Sequence, residues 1–359
     1  MKPIVALTMG DPGGIGPEII LKSLREAGLN SSFIFLIGSE EVFNFTSQRL
    51  RLPFKIHRVG TFDRLLLKEN VVNFFDVTEE AGLLYQIVFE QSRPQSECFS
   101  IGKISKWNAA LAYACLKLAA EQGVKGFIQG LVTAPIQKTG MRLIDPNFSG
   151  HTDYLAETVR IKNYAMMFYH ERFCVTLATI HLPLKKVAAS LNAEDLLNKM
   201  LLTDEFLKKK LGLKQPKIAV CALNPHGNEF GIEEDKIIEP AVKEAQKRGL
   251  LIEGPLPGDQ VFFDAFEGRF QAVIAMYHDQ GLAPFKMIAF REGVNVTLGL
   301  PYVRTSPDHG TAFDIAYQNQ AFHSAFLNSI RLAQKTAVSP LQPASKSSSF
   351  LPETGLLGQ

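Results

Sequence analysis

The chain is poor in the features that mark disulfide-stapled, nucleic-acid-binding or membrane proteins. Only four cysteines, Cys98, Cys115, Cys174 and Cys221, occur in 359 residues, and no two form a CxxC pair. That scarcity speaks against a disulfide framework and against a cysteine-rich zinc site. Three of the four lie in apolar periodic segments, which reads as buried free thiols in a reducing compartment. Neither sign of charge is in excess: 38 Lys and Arg stand against 36 Asp and Glu, a formal charge of +2. Such a balance gives no support for nucleic-acid binding and leaves room only for local basic residues that hold a small anion. No apolar stretch is long and clean enough to span a bilayer. The amino terminus runs straight into a strand-like Ile4–Thr8 with no signal-peptide pattern, so a cytoplasmic protein without a membrane partner is expected. Nucleotide loops are missing too. GDPGGIG at residues 10–16 lacks the GxGxxG spacing, and no GxxxxGK[ST] occurs. Its glycines allow either close backbone approach to a ligand or simply a tight turn.

What is present is alternation. Hydrophobic residues make up 46% and charged residues 21%, the balance of an ordinary globular protein. The length suits two α/β domains. Strand-like runs at Ile4–Thr8, Phe33–Gly38, Gly126–Leu131 and Val294–Leu298 are interleaved with helical patterns. The helical patterns cover Pro17–Ala27, Glu40–Arg51, Ser105–Gln122, Ala193–Leu211, Glu233–Arg248, Thr311–Ile315 and Ala321–Ala333. Pro17 suits a helix start and Ser105 an N-cap. Strands alternating with helices indicate a parallel sheet with helical cover. The stretch from Thr336 to Gln359 is rich in Ser and Pro and reads as a flexible tail. It contains LPETG at Leu351–Gly355, which looks like a sortase motif, but only LLGQ follows. A chance match or an appended tag is the simpler reading.

The chemistry is concentrated where apolar strands end. FCVTLATI runs into His181, KIAVCAL into Asn224-Pro225-His226-Gly227, and AVIAMY into His278-Asp279-Gln280-Gly281. In open α/β sheets ligands gather at the carboxyl ends of strands. One histidine after a strand is most often a hydrogen-bonded loop residue. Three in the same position suggest metal ligands, because neutral imidazole binds metals and three protein ligands leave positions open for substrate. His151 and Thr152, in FSGHTDYLAE, stand where a helix begins, a place that favours an anion. Asp279 adjoins His278, and Asp259 lies in GPLPGDQVFF. Each is a turn or cap residue on the plain reading. On the functional one, each orients a ligand histidine or assists proton transfer. Lys286, Asn295 and Arg304 are spaced along FKMIAFREGVNVTLGLPYVRTS. Asn295 interrupts an apolar strand, and the flanking Lys and Arg suit a phosphate or carboxylate. At this level the chain reads as an α/β metalloenzyme with an anionic small substrate.

Seven blocks occur in order: MGDPGGIGPEI, SGHTDYLAE, TIHLPL, LNPHGNE, GPLPGDQVF, AMYHDQGLAPFK and GVNVTLGLPYVRTSPDHGTAFDIA. Together they strongly resemble the 4-hydroxythreonine-4-phosphate dehydrogenase family of vitamin B6 biosynthesis, from about residue 4 to about residue 333. The resemblance implies two α/β/α domains related to isocitrate and isopropylmalate dehydrogenases, with the active site in the cleft between them. One domain is expected over 1–132 plus about 305–335, the other over 133–304. It also implies a homodimer whose divalent metal (zinc, magnesium or cobalt) is shared across the interface. By the resemblance the metal ligands are His181, His226 and His278. The substrate contacts are His151, Thr152, Lys286, Asn295 and Arg304; Asp259 and Asp279 stay the catalytic candidates from the residues alone. The implied reaction oxidises 4-phosphooxy-L-threonine with NAD(P). The β-keto acid formed then loses carbon dioxide. The nearest competitor is a sister enzyme acting on 4-phospho-D-threonate or 4-phospho-D-erythronate. More distant are a metal-dependent lyase of the class II aldolase type and a non-catalytic metal-binding protein.

Overall fold

The computed structural model describes residues 2–28, 31–91, 98–227 and 229–337; the LPETG segment lies outside them. Among the described residues twelve strands form one mixed sheet covered by helices. In chain order they are β1 (Ile4–Thr8), β2 (Phe33–Gly38), β3 (His57–Arg58), β4 (Val72–Asp76), β5 (Gly130–Thr133) and β6 (Ala165–Tyr169). Then follow β7 (Cys174–Leu177), β8 (Lys217–Cys221), β9 (Leu251–Leu256), β10 (Ala272–Ala275), β11 (Val294–Leu298) and β12 (Val303–Pro307). Their spatial order is β3-β4-β2-β1-β5-β12-β11-β6-β7-β10-β8-β9. The first six in that order are mutually parallel, as are the last four. Between them β12, β11, β6 and β7 pair antiparallel, so the two parallel halves run in opposite directions.

Each parallel half is apolar because both of its faces are covered. β2 and β10 are buried along their whole length. One core gathers the side chains of β1, β2, β4 and β5 with Trp107, Leu111 and Cys115 of the Lys106–Val124 helix. That core also takes in Met141, Ile144, Phe148 and Leu155. The second half has a core on each face. One holds Leu196 and Met200 of the Ala193–Glu205 helix with Val242 and Ala245 of the Glu239–Lys247 helix. The other holds Phe262, Leu282 and Phe285 of the Gly258–Phe266 and His278–Ala289 helices. The closing Ser324–Thr336 helix lends Phe326 and Ile330 to the first core and Leu332 to a core of the second half.

Local signals explain the element ends. Pro17 lies in the first turn of the Gly16–Glu26 helix, and Ser105 caps the Lys106–Val124 helix by accepting the Asn108 N–H at 3.1 Å. The helices expected over 193–211 and 233–248 each contain one wider turn, Phe206–Lys210 and Glu234–Ile238. The helix expected over Thr311–Ile315 is a single tight turn, Phe313–Ile315. GDPGGIG is a packing turn. A β-carbon on Gly13 would lie 2.5 Å from Ser100 O, and one on Gly14 would lie 2.6 Å from Thr311 O. The glycines thus let this loop touch two neighbouring backbones and leave no groove over them. No helix among the described residues is long and apolar enough to cross a membrane.

Candidate active site

The site is a cavity of about 390 Å³ where the antiparallel strands meet both parallel halves. Its floor follows from strand register. On β11, Asn295 and Thr297 are two apart and share a face; their partners across the pair are Ser306 and Arg304 of β12. On the other side they face Phe168 and Met166 of β6. With a side-chain period of two, one face of three strands therefore presents Asn295, Thr297, Arg304, Ser306, Met166 and Phe168 together. Thr133, the last residue of β5, completes this floor.

Arg304 is 2% exposed, and among the described residues no carboxylate pairs with it. Hydroxyls hold it instead: Nη1 donates to Thr297 Oγ1 at 3.1 Å and Nη2 to Thr133 Oγ1 at 2.7 Å. Nε is buried without a partner, and so is Asn295 Oδ1. Burial lowers the guanidinium pKa from its usual range to about 10, so it stays charged at neutral pH. A buried cation with an unused donor, beside a buried acceptor with none, is a site waiting for a polar anion.

Two helices bring in the walls. In the His278–Ala289 helix, His278, Leu282 and Lys286 recur every four residues, so one helix face turns all three toward the cavity. Lys286 Nζ lies 3.3 Å from Asp308 Oδ2. Burial raises the Asp308 pKa and Lys286 opposes the rise. The second helix, His151–Thr158, opens into the cavity with His151 and Thr152. Thr152 Oγ1 lies 3.4 Å from Thr297 Oγ1, which links the helix start to the Arg304 network. Burial first, and then the charges of Arg304 and Lys138, hold His151 well below the usual histidine range, so it is neutral.

At the carboxyl ends of adjacent strands, β7 delivers His181 and β10 delivers His278. Their ring centroids are 5.9 Å apart. Nδ1 of His278 is 2.7 Å from Asp279 Oδ1, which leaves Nε2 for another partner. Burial, then Lys138 and His278, lower the His181 pKa. Two imidazoles this close fit two ligands of one metal ion. The third expected ligand is elsewhere in the chain. His226 follows β8, the next strand over, but lies on an exposed loop against Phe230, with 6.1 Å between centroids. Among the described residues no three metal-ligating side chains gather.

Seven of the ten residues singled out in the sequence therefore line one cavity: His151, Thr152, His181, His278, Lys286, Asn295 and Arg304. His226, Asp259 and Asp279 do not line it. Asp279 touches His278 from outside, and Asp259 is exposed in the first turn of the Gly258–Phe266 helix. The sequence reading missed Thr133, Lys138, Asp308 and His309, which line the cavity, and Thr297, which holds Arg304 beneath it. For Lys138 a signal existed, since it follows a strand end in VTAPIQK. The threonines carry no such signal.

Comparison with known proteins places the chain among relatives of one kind. The family model for pyridoxal phosphate biosynthetic protein PdxA matches residues 31–333. The chain is 39% identical to the 4-hydroxythreonine-4-phosphate dehydrogenase of Desulforapulum autotrophicum over 340 residues, covering 92% of this chain and 95% of that relative. It is 38% identical to the D-threonate 4-phosphate dehydrogenase of Salmonella typhimurium over 336 residues, covering 93% and 98%. Among solved structures, a 4-hydroxythreonine-4-phosphate dehydrogenase from Klebsiella pneumoniae superimposes with a TM-score of 0.80 at 34% identity, covering 94% of this chain and 98% of that one.

Proposed function

The chain belongs to the family of pyridoxal phosphate biosynthetic protein PdxA, and from that premise we propose that it is a metal-dependent, NAD(P)-linked dehydrogenase of 4-phosphooxy-L-threonine. One observation carries this reading. A single cavity holds a pair of imidazoles and a buried guanidinium that has no counter-ion among the described residues. The relatives named as dehydrogenases of phosphorylated hydroxy acids support it.

The reaction has two parts. The C3–H bond of the substrate breaks and its hydride passes to the nicotinamide, while the hydroxyl proton leaves, giving 2-amino-3-oxo-4-phosphooxybutanoate. The carboxylate of that β-keto acid then departs as carbon dioxide, and a proton at C2 yields 3-amino-2-oxopropyl phosphate. His181, His278 and a third ligand would hold a divalent metal (zinc, magnesium or cobalt), which would supply Lewis-acid polarisation of the C3 oxygen. The nicotinamide supplies the hydride acceptor. The chain's own residues bind and orient. Arg304, fixed by Thr133 and Thr297, turns its free Nε to a substrate oxyanion. Lys286, steered by Asp308, provides a second cation. Asn295 Oδ1 accepts from a substrate N–H or O–H. Asp279 acts as a positioning residue by fixing the His278 ring.

We assign the third ligand to His226 of a second copy, because the chain's own His226 lies apart from the imidazole pair. Asp259, exposed in the first turn of the Gly258–Phe266 helix, has no place in this cavity within one chain. The two parallel halves with their separate cores support the division into two domains about the cavity. The buried thiols of Cys115, Cys174 and Cys221 suit a reducing cytoplasm.

A second reading replaces the substrate with D-threonate 4-phosphate, since relatives of near-equal identity, 38% and 39%, carry the two names. Steady-state turnover on both substrates decides between them. The proposal expects the higher kcat/KM on 4-phosphooxy-L-threonine. A higher value on D-threonate 4-phosphate would establish the second reading, and aldehyde release without nicotinamide reduction would point to a lyase.

A further inference from the structure

Lys138 has no part in the scheme above, yet it lies in the same cavity. It stands at the start of the short Lys138–Met141 helix that follows β5. A β-carbon built on Gly150 would meet Lys138 Cε at 3.4 Å and Nζ at 3.5 Å. The ammonium therefore lies directly against the residue that precedes the His151–Thr158 helix. The first backbone bond of that helix runs from the Tyr154 N–H to Gly150 O, so the N–H groups of His151, Thr152 and Asp153 come before it. Such groups carry the positive end of the helix dipole and have no acceptor within the helix. Among the described residues no carboxylate pairs with Lys138, and Arg304, 2% exposed and with Nε unpartnered, lines the same space. The Thr152–Thr297–Arg304 chain of contacts at 3.4 and 3.1 Å ties the helix start to that guanidinium.

We propose that Lys138 is a substrate-binding residue that holds the phosphate end of the substrate against the start of the His151–Thr158 helix, with Thr152 and Arg304 completing the phosphate site. A phosphate dianion fits this place better than a carboxylate. It meets two cations and a helix terminus at once, and its oxygens can take the N–H and hydroxyl donors that face them. The assignment deepens the proposed function and rests on its phosphorylated substrate.

The test uses full-length Lys138→Met and Lys138→Arg, with Lys335→Met as a remote control. Calorimetric titration with inorganic phosphate reads the site without turnover. Lys138→Met should weaken phosphate binding about tenfold or more. It should raise KM for the phosphorylated substrate by a similar factor with kcat changed far less. Lys138→Arg should recover part of the loss. Zinc affinity and Tm should stay at or above the wild-type values, which separates loss of an anion contact from loss of structure. Equal phosphate affinity in Lys138→Met and wild type, or no phosphate binding by wild type at all, would overturn the assignment. If wild type turned over neither phosphorylated substrate while phosphate binding still depended on Lys138, the functional reading would fall and the Lys138 site would stand.

Discussion

At Arg304 the needs of the free protein and of the complex pull in opposite directions. The guanidinium is 2% exposed and rests on two threonine hydroxyls. A buried cation without a counter-charge costs the folded state. Arg304→Met should therefore leave Tm unchanged or raise it, while kcat/KM falls by about a hundredfold or more, near 3 kcal/mol. A large drop in Tm with a small kinetic effect would mean that the side chain is structural. Asp279 acts at one remove, through His278 Nδ1 at 2.7 Å. Asp279→Asn should weaken metal binding about 10- to 100-fold, read by chelator competition; an unchanged metal affinity would remove its positioning role. Asp11 shows the opposite use of burial. It is 3% exposed, and desolvation pushes its carboxyl from 3.8 up to about 6, against its bonds from Gly13 and Asn108. A raised carboxylate pKa contributes stability that is full below the unfolded value and is lost as pH rises through the folded one. Between pH 3.8 and about 6 the wild type should lose up to about 3 kcal/mol on this account. Asp11→Asn should gain Tm relative to wild type across that window, and parallel Tm profiles would show that the carboxyl is not desolvated.

At the scale of elements, the His278–Ala289 helix sets the positions of both His278 and Lys286. It can seat on β7 and β10 because Gly281 has no side chain. A β-carbon there would lie 2.8 Å from Val175 Cγ1, 2.9 Å from Ala275 Cβ and 2.9 Å from Leu177 Cδ2. Gly281→Ala should destabilise by about 1–3 kcal/mol and lift the helix from the sheet, reducing metal affinity and substrate affinity together. Loss of stability with both affinities intact would show that this contact does not set the site. The same element shows what the sequence made legible. Strand ends are visible because an apolar run stops at a polar residue, so His181, His226 and His278 stood out. The helix face shared by His278 and Lys286 follows from their spacing of eight, though the sequence reading used each residue separately. Cross-strand register was not legible. Thr133, Thr297 and Arg304 come from three strands, and nothing in 133, 297 or 304 announces that Arg304 will donate to both threonines. The antiparallel insertion of β6 and β11 was equally hidden, since a buried central strand is apolar whichever way it runs.

At the scale of the whole molecule, the chain carries two imidazoles of the expected metal site together and the third apart. If a second copy supplies His226, two inactive variants can complement each other. Mixed His181→Ala and His226→Ala chains form a dimer in which one site has all three ligands and the other has lost two. Random exchange should then restore roughly a quarter of wild-type activity. No recovery after subunit exchange, confirmed by mass, would place all ligands within one chain. The central claim, that this cavity carries out metal-dependent dehydrogenation of a phosphorylated hydroxy acid, is tested most directly by following nicotinamide reduction with 4-phosphooxy-L-threonine before and after chelation. The account predicts that reduction requires both the substrate and the metal, stops when a chelator strips the protein, and returns when zinc, cobalt or magnesium is added back. Full turnover by metal-stripped protein, or no nicotinamide reduction on this substrate or on D-threonate 4-phosphate with metal present, would contradict it.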